Sequence, residues 1–558
     1  MYGKMYSACL YGIEGVMIGV EIDLANGLPQ TNLIGLPDSA IREAVERVRA
    51  AVKNCGYRYP QQRITINLAP ADLRKEGSAF DLAIAIGILI TSGQLIMPMA
   101  QDMLLIGELA LDGSLRPVSG VLPMVEAARK NGFKAVLLPE ANAPEAALIN
   151  GITVYALDHL KALPAAGEYL NTLNAARDSE ASEVVETSLL PFPVAISSGK
   201  DVSAQPLVLA SSLEHLKYKP NLSTTNPSPS ILNELVDDYS DVVGQQHVKR
   251  ALTIAAAGMH NIMLIGPPGT GKTMLIKRLP SILPQLSDHE ALEVTKIFSA
   301  AGNLKDTKSG LLRCRPFRSP HHTISAAGLI GGGSIPKPGE VSLAHRGILF
   351  LDELPEFSRN VLEVLRQPLE DGVVSISRAR ASFTFPATFM LAASMNPCSC
   401  GYFGSGLSQQ SCTCSPAKIA GYRAKISGPL LDRIDLQVDV PRPKEFDRSV
   451  PSLSSEEMRR EVLAAQAIQA KRYKRLPISW NSELSGASLR RYAALSHEGS
   501  EFLVSILENL SLSMRAHDRI LKLSRTIADL EGAEHITLAH LAEAVQYRNL
   551  DRQVITEE

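Results

Sequence analysis

Residues 266–273 read Gly-Pro-Pro-Gly-Thr-Gly-Lys-Thr, and no other stretch limits the folding of this chain so strongly. An apolar run at 261–265 precedes Gly266, Pro267, Pro268, Gly269, Thr270 and Gly271, and a helix-forming run begins at Met274. Strand, glycine turn and helix in that order aim backbone N–H groups and a helix N-terminus at an anion. Lys272 is placed to reach β- and γ-phosphate oxygens, and the Thr273 hydroxyl to ligate Mg²⁺. A glycine turn with an incidental lysine is the plainer alternative, and the flanking strand and helix weigh against it. Such a loop belongs at the C-terminal edge of a parallel sheet, so the expected fold class is α/β.

Further downstream, Gly347-Ile-Leu-Phe-Leu ends in Asp352 and Glu353. Carboxylates at a buried strand's C-terminus suit two tasks: Asp352 holds a water of the Mg²⁺ shell, and Glu353 polarises an attacking water as general base. The strand at 388–393 leads to Asn396, a polar residue suited to orienting that water, or a simple turn residue before Pro397. Arg433, in Leu-Leu-Asp-Arg-Ile-Asp, is suited to a γ-phosphate across a subunit boundary. Arg515 begins a later helix. Either arginine alone is equally consistent with a surface ion pair; their order along the chain is what raises them.

At 558 residues the chain exceeds one compact domain by the usual measure of about 150 residues each. Residues 1–175 alternate strands (15–22, 64–67, 103–106, 135–138) with helices (39–53, 122–131). Residues 176–230 are rich in Ser, Thr, Pro and Asn and read as a linker. Residues 231–440 hold the phosphate-loop domain. Residues 441–558 are helical in pattern (454–474, 488–495, 500–510, 513–531, 537–547).

Arg315-Pro-Phe-Arg-Ser-Pro-His-His322, Leu329-Ile-Gly-Gly-Gly333, Leu369-Glu-Asp-Gly372 and Ser427-Gly-Pro-Leu-Leu-Asp-Arg433 resemble the magnesium-chelatase-like branch of AAA+ ATPases, specifically the ComM/YifB family. The resemblance runs over nearly the whole chain. It implies ATP and Mg²⁺ as cofactors, Asn396 as sensor 1, Arg433 as arginine finger, Arg515 as sensor 2 in a helical lid, and a hexameric ring. It also implies branch migration of DNA during natural transformation. Residues 75–82 and 106–118 resemble the Lon protease domain, with the serine column falling on Ala79 beside Ser78 and the lysine column on Leu122. Without an amine at that position the domain is expected to be non-proteolytic.

Cys398, Cys400, Cys412 and Cys414 bring four of the seven cysteines into one glycine-containing loop. Tetrahedral zinc is the expectation, with free thiols or a redox role as alternatives. The net charge of −2 gives no global attraction for nucleic acid, so binding must be local. Residues 373–385 alternate like a hairpin with Arg378 and Arg380 near its tip. Lys418, Arg423 and Lys425 follow before the next acid, and Arg313, Arg315, Arg318, His321 and His322 precede it in an acid-free stretch. Six copies around a ring would line a channel with cations; ion pairing between subunits is the alternative. No apolar run reaches the ~18 residues of a membrane span, the best being 82–90, and the N-terminus lacks a signal-peptide core, so a cytoplasmic protein without a membrane partner is expected. The leading reading is a ring motor on single-stranded or branched DNA; a chelatase-type subunit for metal insertion and an ATP-regulated scaffold are the alternatives.

Overall fold

The computed structural model describes residues 1–75, 77–163, 213–219, 237–304, 310–333, 336–378, 381–404, 411–442, 452–510 and 513–548. Most of the expected linker lies outside them. The chain divides into two compact units, one of residues 1–227 with 295–311, the other of 228–294 with 312–558.

The first unit is built on a seven-stranded mixed sheet in the order Gln30–Ile34, Arg63–Ala69, Glu14–Ala25, Tyr2–Tyr11, Met103–Leu105, Ala135–Pro139, Thr153–Leu157. The apolar run considered for a membrane span is the helix Asp81–Thr91, with all eleven residues buried. A helix apolar all round belongs inside a core, and among the described residues no helix is long and apolar enough to cross a membrane. The amphipathic helix Ser39–Asn54 starts where Asp38 accepts the N–H of Ile41, and it buries Ile41, Val48 and Val52 against the same core.

In the second unit five parallel strands run in the order Phe317–Arg318, Ile348–Leu351, Met390–Met395, Ile262–Ile265, Leu436–Asp439. Their apolar residues form one core with the C-terminal helices Ser455–Tyr473, Gly486–Tyr492, His497–Asn509, Met514–Leu530 and Leu538–Gln546. The helix starts are chemically marked: Ser454 and Glu457 make a capping box, and Ser513 accepts the N–H of Ala516. A polar knot sits inside this helical group. The fully buried Asp529 carboxylate accepts from Arg472 Nη1 at 2.7 Å, Arg525 Nε at 3.1 Å and Asn481 Nδ2 at 2.8 Å.

Removing the one anion shared by the buried Arg525 and the partly buried Arg472 leaves both uncompensated. Asp529→Ala should therefore cost about 3–5 kcal/mol, read as a lowered denaturation midpoint of the C-terminal helices.

Candidate nucleotide site

The phosphate loop, the Asp-Glu pair and the polar strand end meet at one edge of the five-stranded sheet because the register puts them there. Ile265 pairs with Met395, so Gly266 and Asn396 leave the sheet side by side. Leu351 pairs with Ala393, so Asp352 leaves opposite Ser394. Gly269 (φ +78°) and Gly271 (φ +84°) take the left-handed backbone the loop requires. The helix Lys272–Lys277 begins directly afterwards.

The Lys272 amine is buried and bonds the carbonyls of Gly266 at 2.7 Å and Pro267 at 2.9 Å, and Asn396 Oδ1 at 3.2 Å. Burial lowers its pKa, with Asp352 and Glu353 opposing the shift. The Thr273 hydroxyl lies 2.8 Å from Asp352 Oδ2. The two oxygen donors that a Mg²⁺ ion would use here therefore lie side by side, joined by a hydrogen bond.

Glu353 is exposed and sits at φ +53°, a left-handed conformation costing a non-glycine residue about 1–3 kcal/mol. Its backbone N–H is held by Asp352 Oδ1 at 3.1 Å and Ser394 Oγ at 3.3 Å. Ser394, almost fully buried, also donates its hydroxyl to Asp352 Oδ1. It thus fixes both members of the acidic pair, and the sequence reading passed over it. The available signal was a single hydroxyl inside the otherwise apolar strand Met390–Met395.

The two arginines lie elsewhere. Arg433 is buried; its guanidinium pairs with Glu370 and with the Pro429 carbonyl at 2.7 Å. Its own carbonyl accepts from Asn261 Nδ2 at 2.8 Å and Arg519 Nη1 at 3.3 Å. Arg515 is exposed in the first turn of Met514–Leu530.

The basic stretch is paired with acids. Arg313 pairs with Asp288 at 2.7 Å, Arg315 with Glu290 at 3.4 Å and Arg318 with Glu340 at 2.6 Å. Acids distant in sequence neutralise all three, so the acid-free run is no free cationic patch. Lys425 likewise faces Glu356 at 3.5 Å. The hairpin forms as expected, Val373–Arg378 against Ala381–Pro386, with Arg378 exposed and donating to the Gly333 carbonyl at 3.0 Å. That internal partner is neutral and leaves the charge intact. Arg380 lies outside the described residues.

Cys398, Cys400, Cys412 and Cys414 bring their Sγ atoms within 4.8 Å of one another. The backbone N–H of Tyr402 and the Cys398 thiol bring Cys400 down to about 6. Cys412, despite the N–H of Cys414, is pushed up to about 12 by burial and its thiol neighbours. In the first unit, Ser78 donates to the Glu108 carboxylate, Leu122 is fully buried, and the buried Lys75 amine donates to the Pro70 carbonyl.

Three family models match: "Magnesium chelatase, subunit ChlI" over residues 238–447, "Subunit ChlI of Mg-chelatase" over 20–142, and "Magnesium chelatase, subunit ChlI C-terminal" over 452–548. YifB of Escherichia coli is 40% identical over 99% of this chain and 98% of its own length. The competence protein ComM of Haemophilus influenzae is 41% identical over 98% and 97%. The magnesium-chelatase 38 kDa subunit of Rhodobacter capsulatus is 24% identical over 38% of this chain and 58% of its own.

Ser394→Ala removes a hydrogen bond to an ionised carboxylate, worth about 1.5–3 kcal/mol. It should raise the Mg²⁺ concentration needed for half-maximal nucleotide binding by roughly tenfold or more, measured by titrating Mg²⁺ against a fluorescent ATP analogue. A merely structural serine would lower the melting temperature and leave that midpoint in place.

Proposed function

The chain belongs to the ComM/YifB family of magnesium-chelatase-like AAA+ ATPases, and from that premise we propose that it is an ATP-driven hexameric ring motor acting on single-stranded or branched DNA. The observation that carries the reading is full-length similarity to a competence protein, supported by the hydrogen bonds that join Lys272 to Asn396 and Thr273 to Asp352. The chelatase alternative has lower identity behind it, 23–24% in the chelatase subunits, although the three matching family models are all chelatase-described. Residues 20–142 match a chelatase-described model, so the first unit does not by itself separate the two readings.

In this reading the loop N–H groups and Lys272 hold the β- and γ-phosphates. Exchanging its carbonyl partners for phosphate oxygens gives the partly desolvated Lys272 amine a full counter-charge. A Mg²⁺ ion held there by Thr273 and Asp352 would supply neutralisation of the charge that develops on the phosphates. Thr273 and Asp352 hold its shell, Glu353 takes the proton of the attacking water, and Asn396 orients that water while sensing Lys272. Arg433, released from Glu370, serves a neighbouring subunit's γ-phosphate, and Arg515 acts from the lid. The domain division proposed is 1–175, a linker at 176–230, the core at 231–440 and the lid at 441–558. The four cysteines hold one zinc ion, and the first domain is non-proteolytic, serving assembly or substrate contact.

For DNA, the contact is placed on the hairpin. Arg378 keeps its charge because its internal partner is a carbonyl, and Arg380 follows it by two residues in the sequence. The carboxylate-paired Arg313, Arg315 and Arg318 are left out of the contact surface.

Two measurements test this. Lys272→Ala should abolish ATP hydrolysis, and Glu353→Gln should bind ATP yet turn over at least about 100-fold more slowly; parental turnover in Glu353→Gln would remove the base assignment. Arg378→Ala with Arg380→Ala should weaken binding to single-stranded and branched DNA across sequences and flatten its salt dependence, while ATPase without DNA persists. Equal binding by the double variant over a salt series would make the hairpin structural.

A further inference from the structure

The four-cysteine loop is joined to the nucleotide site at both of its inner contacts. Cys398 follows Asn396 by two residues, and Asn396 accepts the Lys272 amine at 3.2 Å. Gly401, in the left-handed region at φ +88°, runs so close to the phosphate loop that a Cβ there would fall 2.9 Å from Pro268 Cδ. Pro268 is itself exposed on its other side, so this loop is what backs it.

The loop's other supports radiate from the thiols. The Phe403 N–H donates to Cys398 Sγ at 3.4 Å. Arg423 stacks over the Phe403 ring at 5.5 Å and donates to the Pro397 carbonyl at 3.3 Å. Immediately after Cys414, Ser415 caps the helix Pro416–Arg423. The strand Met390–Met395 anchors one end and this helix the other, and between them the thiols are the converging groups.

Their spacing fits a metal better than it fits free thiols. The Sγ atoms of Cys398, Cys400 and Cys412 are 3.3, 3.7 and 3.5 Å apart, pair by pair. A tetrahedral thiolate site with Zn–S near 2.3 Å has edges of about 3.8 Å, whereas a disulfide needs sulfurs about 2 Å apart. Thiol-to-thiol hydrogen bonds are weak and would not by themselves draw four sulfurs together.

We infer that zinc at Cys398, Cys400, Cys412 and Cys414 is a clip on the nucleotide site: it fixes Asn396 and backs Pro268, so nucleotide affinity depends on the metal. The inference rests on reading residues 266–273 as the nucleotide loop and adds its control by a second ion remote from the phosphates. A metal-free loop loses the fixed position of Gly401, and the phosphate loop then has to be ordered by the nucleotide itself, which costs affinity.

The test uses the full chain purified without chelators. Elemental analysis should give about one zinc per chain, the number a single four-thiolate site holds. A fluorescent ADP analogue should bind the zinc-loaded protein. Stripping zinc with a mercurial thiol reagent, followed by dithiothreitol and a chelator, should weaken that binding by about tenfold or more, and adding Zn²⁺ alone should restore it. Absence of zinc after purification and no uptake of added Zn²⁺ would overturn the inference. So would unchanged analogue affinity in stripped protein, with the ATPase reading intact; failure of the zinc-loaded protein to bind analogue at all would instead strike the ATPase reading.

Discussion

The parallel register of three strands is the constraint from which the site follows. Ile262–Ile265 and Met390–Met395 end on the pair Ile265–Met395, Ile348–Leu351 ends two residues earlier against Ala393, and a shift of one residue would turn each following side chain to the other face. With the observed pairing, Asp352 meets Thr273 on one side and Ser394 on the other, and Asn396 meets Lys272. The apolar residues of these strands, fully or nearly fully buried, hold that register by the hydrophobic cost of any alternative. Chemistry at the edge therefore depends on packing within the sheet.

A second constraint ties the helical group to the sheet. The buried Asp435 carboxylate stands two residues beyond Arg433 and pairs with Arg519 of Met514–Leu530 and, at 3.4 Å, with His260. Burial alone would raise its pKa, yet Arg519 and His260 hold it well below the usual carboxylate range. Asp435 Oδ2 also accepts the N–H of Asn261, whose side chain bonds the Arg433 carbonyl and the Leu391 N–H. The backbone of Arg433, the first strand beside the loop and the helix bearing Arg515 are thus one hydrogen-bonded assembly. The Asp435 carboxylate that joins them is buried, so parting them would be costly.

Charge in this protein is organised by partner type. Arg313, Arg315 and Arg318 face carboxylates, while Arg378 faces a carbonyl. A carboxylate cancels a guanidinium's field over a Debye length; a carbonyl only orients it. Arg378 therefore differs from Arg313, Arg315 and Arg318 in the charge it leaves uncompensated.

Local chemistry was legible along the chain. The loop at 266–273, the pair Asp352 and Glu353, the hairpin and the terminal helices are each specified by residues close in sequence, through glycine turns, apolar runs and serine caps. Strand pairing and long-range ion pairs were not, because they depend on which distant segments pack together. The first strand Tyr2–Tyr11, the role of Ser394 and the acids that neutralise Arg313, Arg315 and Arg318 all belong to this second kind. So does the contact of Gly401 with Pro268, made between loops more than a hundred residues apart. Sequence determined which groups the protein has for phosphate, magnesium and thiolate chemistry; tertiary structure decided which of them face one another, since register and burial are properties of the packed sheet and of no single segment.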